Sequence, residues 1–160
     1  VAPKKGKSHV LRVVREILYH RPKGRGTNIG KALQFLSHIT HRRAVVFLVS
    51  DFINTDYEKA LQIANRRHDI IAISITDPRE RELPDVGFIE LEDAETGETY
   101  LLDTTDPAVR RDIAVRSKEN ALVREKLFRS IQVDHIDIST QQSYIEPLIR
   151  FFRMRAKRFR

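Results

Sequence analysis

The sequence contains no cysteine and no tryptophan, and its 160 residues include a single methionine. Without cysteine the chain can form neither a disulfide nor a thiolate zinc site, and a cysteine nucleophile is excluded. No apolar run approaches the roughly 20 residues that a membrane-spanning helix needs. The lysine-rich stretch 1–7 has no apolar segment behind it, as a signal peptide would have. We therefore expect one domain over residues 1–160, located in the cytoplasm.

Charge is plentiful but unevenly distributed, with a net value of +7. Residues 1–43 contain eleven Lys or Arg and one acid, residues 44–106 contain five bases and fifteen acids, and residues 107–160 contain thirteen bases and six acids. This layout indicates complementary surfaces within the chain or towards a partner. A basic chain also admits nucleic-acid binding as an alternative function. No nucleic-acid motif accompanies the charge, and solvated basic helix faces explain it more simply.

The apolar pattern predicts an α/β fold. Two amphipathic helices, 8–20 and 28–39, come first with no strand before or between them. The remaining elements follow as an apolar run over 44–50, a helix from Thr55 to Arg67, a second apolar run over 70–76, a hairpin within 87–103, a helix from Pro107 to Ser130, a strand over 133–138 and a last helix capped by Ser143. This order is typical of a three-layer fold, a mainly parallel sheet with helices on both faces. Both apolar runs have the length and β-branched content of strands buried on both faces.

Two helices carry apolar stripes that predict packed faces. In the first helix the stripe consists of Val10, Val14, Ile17 and Leu18. In the last helix it consists of Ile145, Leu148, Ile149 and Phe152. The basic end of the chain, 150–160, is interleaved with aromatic residues, and we expect Phe152 to pack inward while the arginines stay solvated.

Asp51 is the strongest candidate for chemistry, because it ends an apolar strand where α/β sheets place ligands. Ile53 stands where an aspartyl phosphotransferase would carry a second Asp, so a phosphoryl-transfer enzyme using Asp51 is the weaker alternative. The glycines between Gly24 and Lys31 do not have the spacing of a phosphate loop. Taken with Thr27, Asp51 supplies hard oxygen donors of the kind that Mg²⁺ accepts.

Several motifs carry a resemblance to known families. The stretch Arg25-Gly26-Thr27-Asn28-Ile29-Gly30-Lys31-Ala32-Leu33 and the strand that ends at Ser50-Asp51 resemble two metal motifs of von Willebrand factor A-type domains. More closely, the motifs within 68–73, 77–80, 82–87 and 92–98 resemble, in the same order, the bacterial family known as domain of unknown function fifty-eight. This second resemblance covers nearly the whole chain.

The resemblance implies a protein-interaction module rather than an enzyme. Thr27 and Asp51 would contribute to a metal-ion-dependent adhesion site that holds Mg²⁺, whose open position takes a carboxylate from a partner protein. Arg25, Asn28 and Asp77 would contact the partner beside the metal. Members of the family are similar to proteins encoded beside MoxR-type AAA+ ATPases, so the resemblance implies such an ATPase as the partner in protein assembly or activation.

The chain departs from this pattern in one respect, because the first metal motif, Asp-x-Ser-x-Ser, does not occur in it. By the resemblance, this motif belongs on a strand ahead of residue 1. We therefore expect the chain to be the carboxy-terminal part of such a domain, with a partial metal site and weak or absent Mg²⁺ binding in isolation. Without its neighbours the strand 44–50 would expose an apolar edge, and we expect a homodimer through that edge, or coverage by the two leading helices.

Overall fold

The computed structural model describes residues 1, 4–21, 26–53, 56–93 and 96–158. Its elements in chain order are α1 (Lys7–Tyr19), α2 (Ile29–Ile39), β1 (Val45–Ser50), α3 (Glu58–Arg67), β2 (Asp69–Thr76), α4 (Pro78–Arg81), β3 (Phe88–Glu92), β4 (Thr99–Asp103), α5 (Pro107–Ser130), β5 (Asp134–Ser139) and α6 (Ile145–Arg158). The predicted elements are all present. The predicted capping residue Thr55 lies outside the described residues, and the short α4 was not predicted.

The main sheet has three parallel strands in the order β1-β2-β5. Val45 pairs with Asp69 at the start of β1, and Ile71 pairs with Asp134 at the start of β5. The strands β3 and β4 form a separate antiparallel hairpin. The predicted class is confirmed as an α/β fold with a parallel sheet flanked by helices, together with a hairpin.

One face of the sheet carries the larger core, which α2, α3 and α5 cover. Alternate residues of each strand point to this face. The buried members of this core are Ile29, Leu33, Phe52, Tyr57, Leu61, Ala64, Ile70, Ala72, Phe128 and Val133. The helix α5 begins where the Asp106 side chain accepts a hydrogen bond from the backbone N–H of Ala108, at 2.7 Å, with Pro107 in the first turn. The prediction for the start of α5 is thus confirmed.

The opposite face of the sheet packs against α6 through a smaller core of Ile71, Ile73, Ile136 and Phe151. Phe151 is buried, whereas Phe152 is 44% exposed. The prediction that Phe152 packs inward is therefore wrong by one position, about 100° around a helix. Arg155 fixes this rotation, because it is directed inward to ion pairs with Asp69 and Asp134.

The strand β1 lies at an edge of the described sheet, where it pairs with β2 alone. Val45, Phe47 and Val49 point to the α6 side and are about half exposed, at 58%, 49% and 54%. The expected apolar edge is confirmed, but the prediction of burial on both faces is wrong for β1. That prediction holds for most of β2, whose residues 70–74 are buried. The buried core of α6 lies over β2 and β5, whereas Phe47 of β1 meets α6 at the partly exposed ring of Phe152, 6.1 Å between centroids.

The helix α1 buries no residue. Its predicted stripe of Val10, Val14, Ile17 and Leu18 is exposed, so the prediction of a packed face is wrong. Neither core of the sheet contains a residue of α1. None of the described helices combines the length and the apolar character required to cross a membrane.

Candidate functional site

Asp51 is exposed and directly follows β1, as the sequence predicts. Its Oδ1 accepts hydrogen bonds from the Ser50 hydroxyl and the Ile53 backbone N–H, both at 3.2 Å. Its backbone carbonyl accepts a bond from the Arg124 guanidinium on α5, at 3.2 Å. The turn after β1 is therefore held from both sides, and the carboxylate is fixed at the rim of the sheet.

The residue after Asp51 accounts for the shape of this turn. Phe52 has a positive φ of 57°, a left-handed conformation that a bulky residue rarely adopts. Its ring is buried, with centroids 5.5 Å from Tyr57 and 5.2 Å from Phe128. Packing of the ring into the core stabilises the strained backbone. The strain is thus a consequence of leading the chain sharply off β1 while keeping Asp51 at the surface.

The amino-terminal end of α2 lies close to Asp56, just ahead of α3. The Asn28 side chain accepts a hydrogen bond from the Lys31 backbone N–H at 2.7 Å, which caps the helix. Gly30 allows a close approach, because a Cβ built there would lie 3.3 Å from the Asp56 carbonyl oxygen. Thr27 precedes the cap and is exposed. Asn28 therefore caps α2 and Asp51 follows β1, while the predicted residue Arg25 lies outside the described residues.

Asp77 directly follows β2, and its hydrogen-bond partners differ from those of Asp51. Its Oδ1 accepts a hydrogen bond from the Arg79 backbone N–H at 2.8 Å, which caps α4. Its Oδ2 accepts a bond from the Thr140 hydroxyl at 3.1 Å. These contacts join the ends of β2 and β5. Asp77 therefore has a structural role besides the partner contact that the sequence predicts.

A cleft of 460 Å³ opens beside Asp51, between the ends of β1 and β2 and the helix α5. Its lining is Asp51, Phe52, Ile53, Tyr57, Glu58, Ile75, Thr76, Glu80, Arg81, Ile113, Arg116, Ser117, Asn120, Ala121, Val123, Arg124 and Leu127. Burial raises the pKa of the Tyr57 hydroxyl, and the positive charge of Arg124 partly offsets that rise.

The sequence analysis did not predict that α5 lines this cleft. The recurrence of Arg116, Asn120 and Arg124 at four-residue intervals was the available signal for one helix face.

Arg124 extends from the cleft to a second polar cluster. Its Nη2 lies 3.8 Å from Asp137 on β5, and its side chain is only 12% exposed. The ring of His135 lies next to Asp137, with 3.4 Å between Nε2 and the carboxylate oxygen. Burial lowers the pKa of His135, an effect that the Asp137 carboxylate partly opposes. The neutral form of this imidazole is therefore favoured at neutral pH.

Ser74, His135 and Asp137 contain the residue types of a hydrolytic triad, but their geometry differs from one. The Ser74 hydroxyl and the Asp137 carboxylate both approach the same ring atom, Nε2, at 2.7 and 3.4 Å. In a triad the carboxylate bonds to the other ring nitrogen. Ser74 is also fully buried, so a substrate could not reach its hydroxyl. The cluster therefore belongs to the packing of β2, β5 and α5.

The donors near Asp51 are oxygen atoms, which suit Mg²⁺ better than zinc. Within the described ranges, no three His, Cys, Asp or Glu side chains group closely enough to hold a metal ion. A metal at this site would therefore depend on the Asp51 carboxylate, on hydroxyl oxygens and on water. This composition fits magnesium, which keeps several waters when it binds protein.

Comparison with known proteins assigns the chain to a family. The chain belongs to the family described as "Protein of unknown function DUF58", which matches residues 1–122. It is 30% identical over 137 residues to an uncharacterized protein of Mycobacterium avium, covering 85% of this chain and 80% of that protein. It is 28% identical over 160 residues to an uncharacterized protein of Mycobacterium tuberculosis, covering 98% of this chain and half of that protein. No solved structure matches the chain. The resemblance to domain of unknown function fifty-eight that the sequence motifs carry is thereby confirmed.

Proposed function

We propose that the chain is a non-enzymatic protein-interaction module whose partner binds at the carboxyl end of the sheet, around Asp51. The observation that carries the proposal is an exposed, anchored carboxylate beside a cleft that combines apolar and charged side chains. Ile53 and Val123 line this cleft and are 72% and 63% exposed. Exposed apolar side chains next to a fixed charge are typical of protein contact sites.

The proposal includes a Mg²⁺ ion at this site. Asp51 and Thr27 supply two oxygen donors, water and further oxygen donors complete the octahedron, and a partner carboxylate takes the open position. By the family resemblance, Arg25, Asn28 and Asp77 would contact the partner. The hydrogen bond from the Ile53 backbone N–H to Asp51 supports this role, because it holds the carboxylate in place before the metal arrives. Since few of the donors are protein side chains, we expect Mg²⁺ alone to bind the chain weakly.

A MoxR-type AAA+ ATPase is the partner that we propose on the basis of family resemblance. The test measures the affinity of the chain for such an ATPase from the same organism by surface plasmon resonance, with Mg²⁺ and with a chelator. We expect Asp51→Ala and metal removal each to weaken binding by about tenfold or more, because each removes a charge-assisted contact at the centre of the interface.

Glu119→Ala provides the matched control, since Glu119 is an exposed carboxylate on α5 outside the cleft lining. It should leave the affinity unchanged. Equal binding by wild type and Asp51→Ala would overturn the assignment of Asp51. Binding that is lost on Asp51→Ala but indifferent to the chelator would retain the contact surface and remove the metal from it.

Nucleic-acid binding is the second candidate function, and one observation favours it. The helix α6 exposes four basic side chains, Arg150, Arg153, Lys157 and Arg158. Phosphate contacts by these side chains would make the logarithm of the affinity fall linearly with the logarithm of salt concentration. A fluorescence titration with a short duplex tests this function. Loss of the salt slope in Arg150→Gln/Arg153→Gln would support it, and an affinity without salt dependence would dismiss it.

We also propose that the edge of β1 supports self-association. Its apolar outer face and its unpaired backbone groups together form a surface that a second β1 can cover. Phe47→Lys should weaken a dimer formed in this way, because it places a charge in the contact. Light scattering at increasing concentration measures the effect. Phe35→Lys, a substitution of another exposed phenylalanine, is the control and should leave association unchanged.

A further inference from the structure

The hairpin β3–β4 is a second unusual surface, remote from Asp51 in the sequence. Its outer face, defined by register and alternation, consists of Phe88, Glu90, Glu92, Thr99, Leu101 and Asp103. Phe88 and Leu101 are 69% and 73% exposed on this face. The opposite face contains Ile89 and Leu102, which are half-buried, and Leu91 and Tyr100, which are 43% and 54% exposed. Near its base the hairpin turns its inner face away from solvent, and its outer face exposes two large apolar side chains among acidic ones.

The base of the hairpin is held firmly, so the outer face keeps a defined shape. Thr104 is fully buried, and its hydroxyl donates to the Gly87 carbonyl at 2.6 Å while accepting from the Val86 backbone N–H at 3.0 Å. The Thr104 backbone N–H also donates to the Gly87 carbonyl, at 2.9 Å. Since a rigid surface loses little entropy on association, the outer face is prepared for a partner.

The charge around this face identifies the chemistry of that partner. From residue 82 to residue 109 the sequence contains nine Asp or Glu and no Lys or Arg. A partner segment must therefore combine positive charge with apolar side chains on one surface, so that both features of the hairpin are matched.

The chain itself contains such a segment in α1. Residues 4–21 carry six Lys or Arg and one acid. At helical spacing, Lys7, Leu11, Val14, Arg15 and Leu18 share one face of α1. Leu11 and Leu18 are 60% and 73% exposed, and Arg15 forms an exposed 3.4 Å ion pair with the adjacent Glu16. An isolated helix of this length is marginally stable in water, so α1 gains stability from any apolar contact.

We propose that the basic face of α1 in one copy of the chain binds the outer face of the hairpin in a second copy. Two copies can make the contact reciprocally, each donating α1 and each accepting on its hairpin, which closes a twofold dimer. Lys7 and Arg15 lie against Glu90 and Glu92, and Leu11 and Leu18 cover Phe88 and Leu101. This contact is separate from the Asp51 site and from the edge of β1.

Sedimentation equilibrium tests the proposal with two charge-reversed variants, Lys7→Glu/Arg15→Glu and Glu90→Lys/Glu92→Lys. All four positions are exposed, so the variants should fold, which circular dichroism verifies. We expect the wild type to dimerise, each variant to dimerise at least about tenfold more weakly, and an equimolar mixture to recover the wild-type affinity. The mixture recovers it because both contacts then join opposite charges. Raising NaCl from about 50 to 300 mM should weaken the wild-type dimer, since surface charges are screened.

Arg111→Glu/Lys118→Glu is the control for Lys7→Glu/Arg15→Glu, because it makes the same change of net charge at exposed positions of α5. It should leave the affinity unchanged. A chain that stays monomeric at every concentration overturns the proposal. A dimer that resists salt and both reversals, but dissociates on Phe47→Lys, also overturns it and assigns self-association to the edge of β1. Failure of the mixture to associate more tightly than either variant alone is the third contrary outcome.

Discussion

The Ser74 hydroxyl and the His135 imidazole meet between neighbouring strands, with 2.7 Å between Oγ and Nε2. Both side chains lie on the α5 side of the sheet, where the ring of Phe128 packs 4.8 Å from that of His135. An imidazole in this position is deprived of water and is favoured in its neutral form. Protonation of His135 would therefore disfavour the folded state.

The first prediction concerns this pH dependence. Burial lowers the pKa of His135 below its usual 6.5 in the folded chain, whereas the unfolded chain restores the usual value. The unfolded state then binds more protons, so stability is complete above pH 6.5 and falls as the pH drops below it. Urea unfolding between about pH 5 and 8 measures the effect. In His135→Gln the fall over this range should become shallower than in wild type.

His41→Gln serves as the comparison for that experiment, because His41 is exposed. Its unfolding should keep the pH dependence of the wild type. If His135→Gln loses stability with the same slope below pH 6.5, the titrating group is another residue and the buried imidazole is not the cause.

The second prediction concerns Arg155, which joins α6 to two strands. Its guanidinium bonds to Asp69 on β2 and, at 3.0 Å, to Asp134 on β5. Arg155→Met would leave two half-buried carboxylates without this partner. We expect a loss of about 1.5–3 kcal/mol in the free energy of unfolding, the usual contribution of hydrogen bonds to charged groups. Urea denaturation at pH 7 measures it.

Arg158→Met is the matched control for Arg155, since Arg158 contacts the same Asp134 from an exposed position, at 3.3 Å. An exposed ion pair contributes about 0–1 kcal/mol, so this variant should unfold close to wild type. If both substitutions lower the free energy of unfolding equally, the contacts of Arg155 do not stabilise the packing of α6 on the sheet.

The Arg155 contact also shows where prediction from sequence reaches its limit. Two overlapping stripes on α6 satisfy helical spacing, one ending at Phe152 and one running from Leu148 through Phe151 to Arg155. The sequence alone favours the more apolar stripe. The buried stripe includes Arg155 because Asp69 and Asp134, 65 residues apart in the chain, come together at the start of neighbouring strands. A pairing between such distant residues leaves no local signal.

Local signals were sufficient elsewhere. Asp106-Pro107 predicted the start of α5, and Gly97 between two apolar segments predicted the hairpin, because caps and turns depend on adjacent residues. Asp51 was located correctly at the end of β1 for the same reason. Its carbonyl contact with Arg124 could not be predicted, since it depends on how α5 packs across the sheet.

The third prediction concerns the base of the hairpin. Thr104→Val keeps the shape of the side chain but removes the hydroxyl that bonds to Gly87 and Val86. The buried backbone groups would lose a partner, at a cost of about 1–3 kcal/mol. Because the bonds lie at the base, the cost should fall on opening of the hairpin. Hydrogen exchange at the amides of β3 and β4 should accelerate more than exchange in β2. Thr104→Ser retains the hydroxyl and should exchange nearly as wild type.

The fourth prediction concerns Phe128, which is 1% exposed at the centre of the larger core. Its ring contacts both Phe52, in the strained turn after β1, and His135 on β5. Phe128→Ala should lower the free energy of unfolding by about 3–5 kcal/mol, the usual cost of removing a buried aromatic ring. Phe35→Ala, at a position 64% exposed, should cost little by comparison.

Phe128→Leu separates the effect of side-chain volume from that of ring geometry, because leucine refills part of the cavity that alanine leaves. If Phe128→Leu restores stability but not the chemical shifts of residues 51–53, the aromatic contact with Phe52 is what holds Asp51 at the rim of the cleft. If Phe128→Leu restores the chemical shifts of residues 51–53 together with stability, filling the core volume is sufficient to hold Asp51 in place.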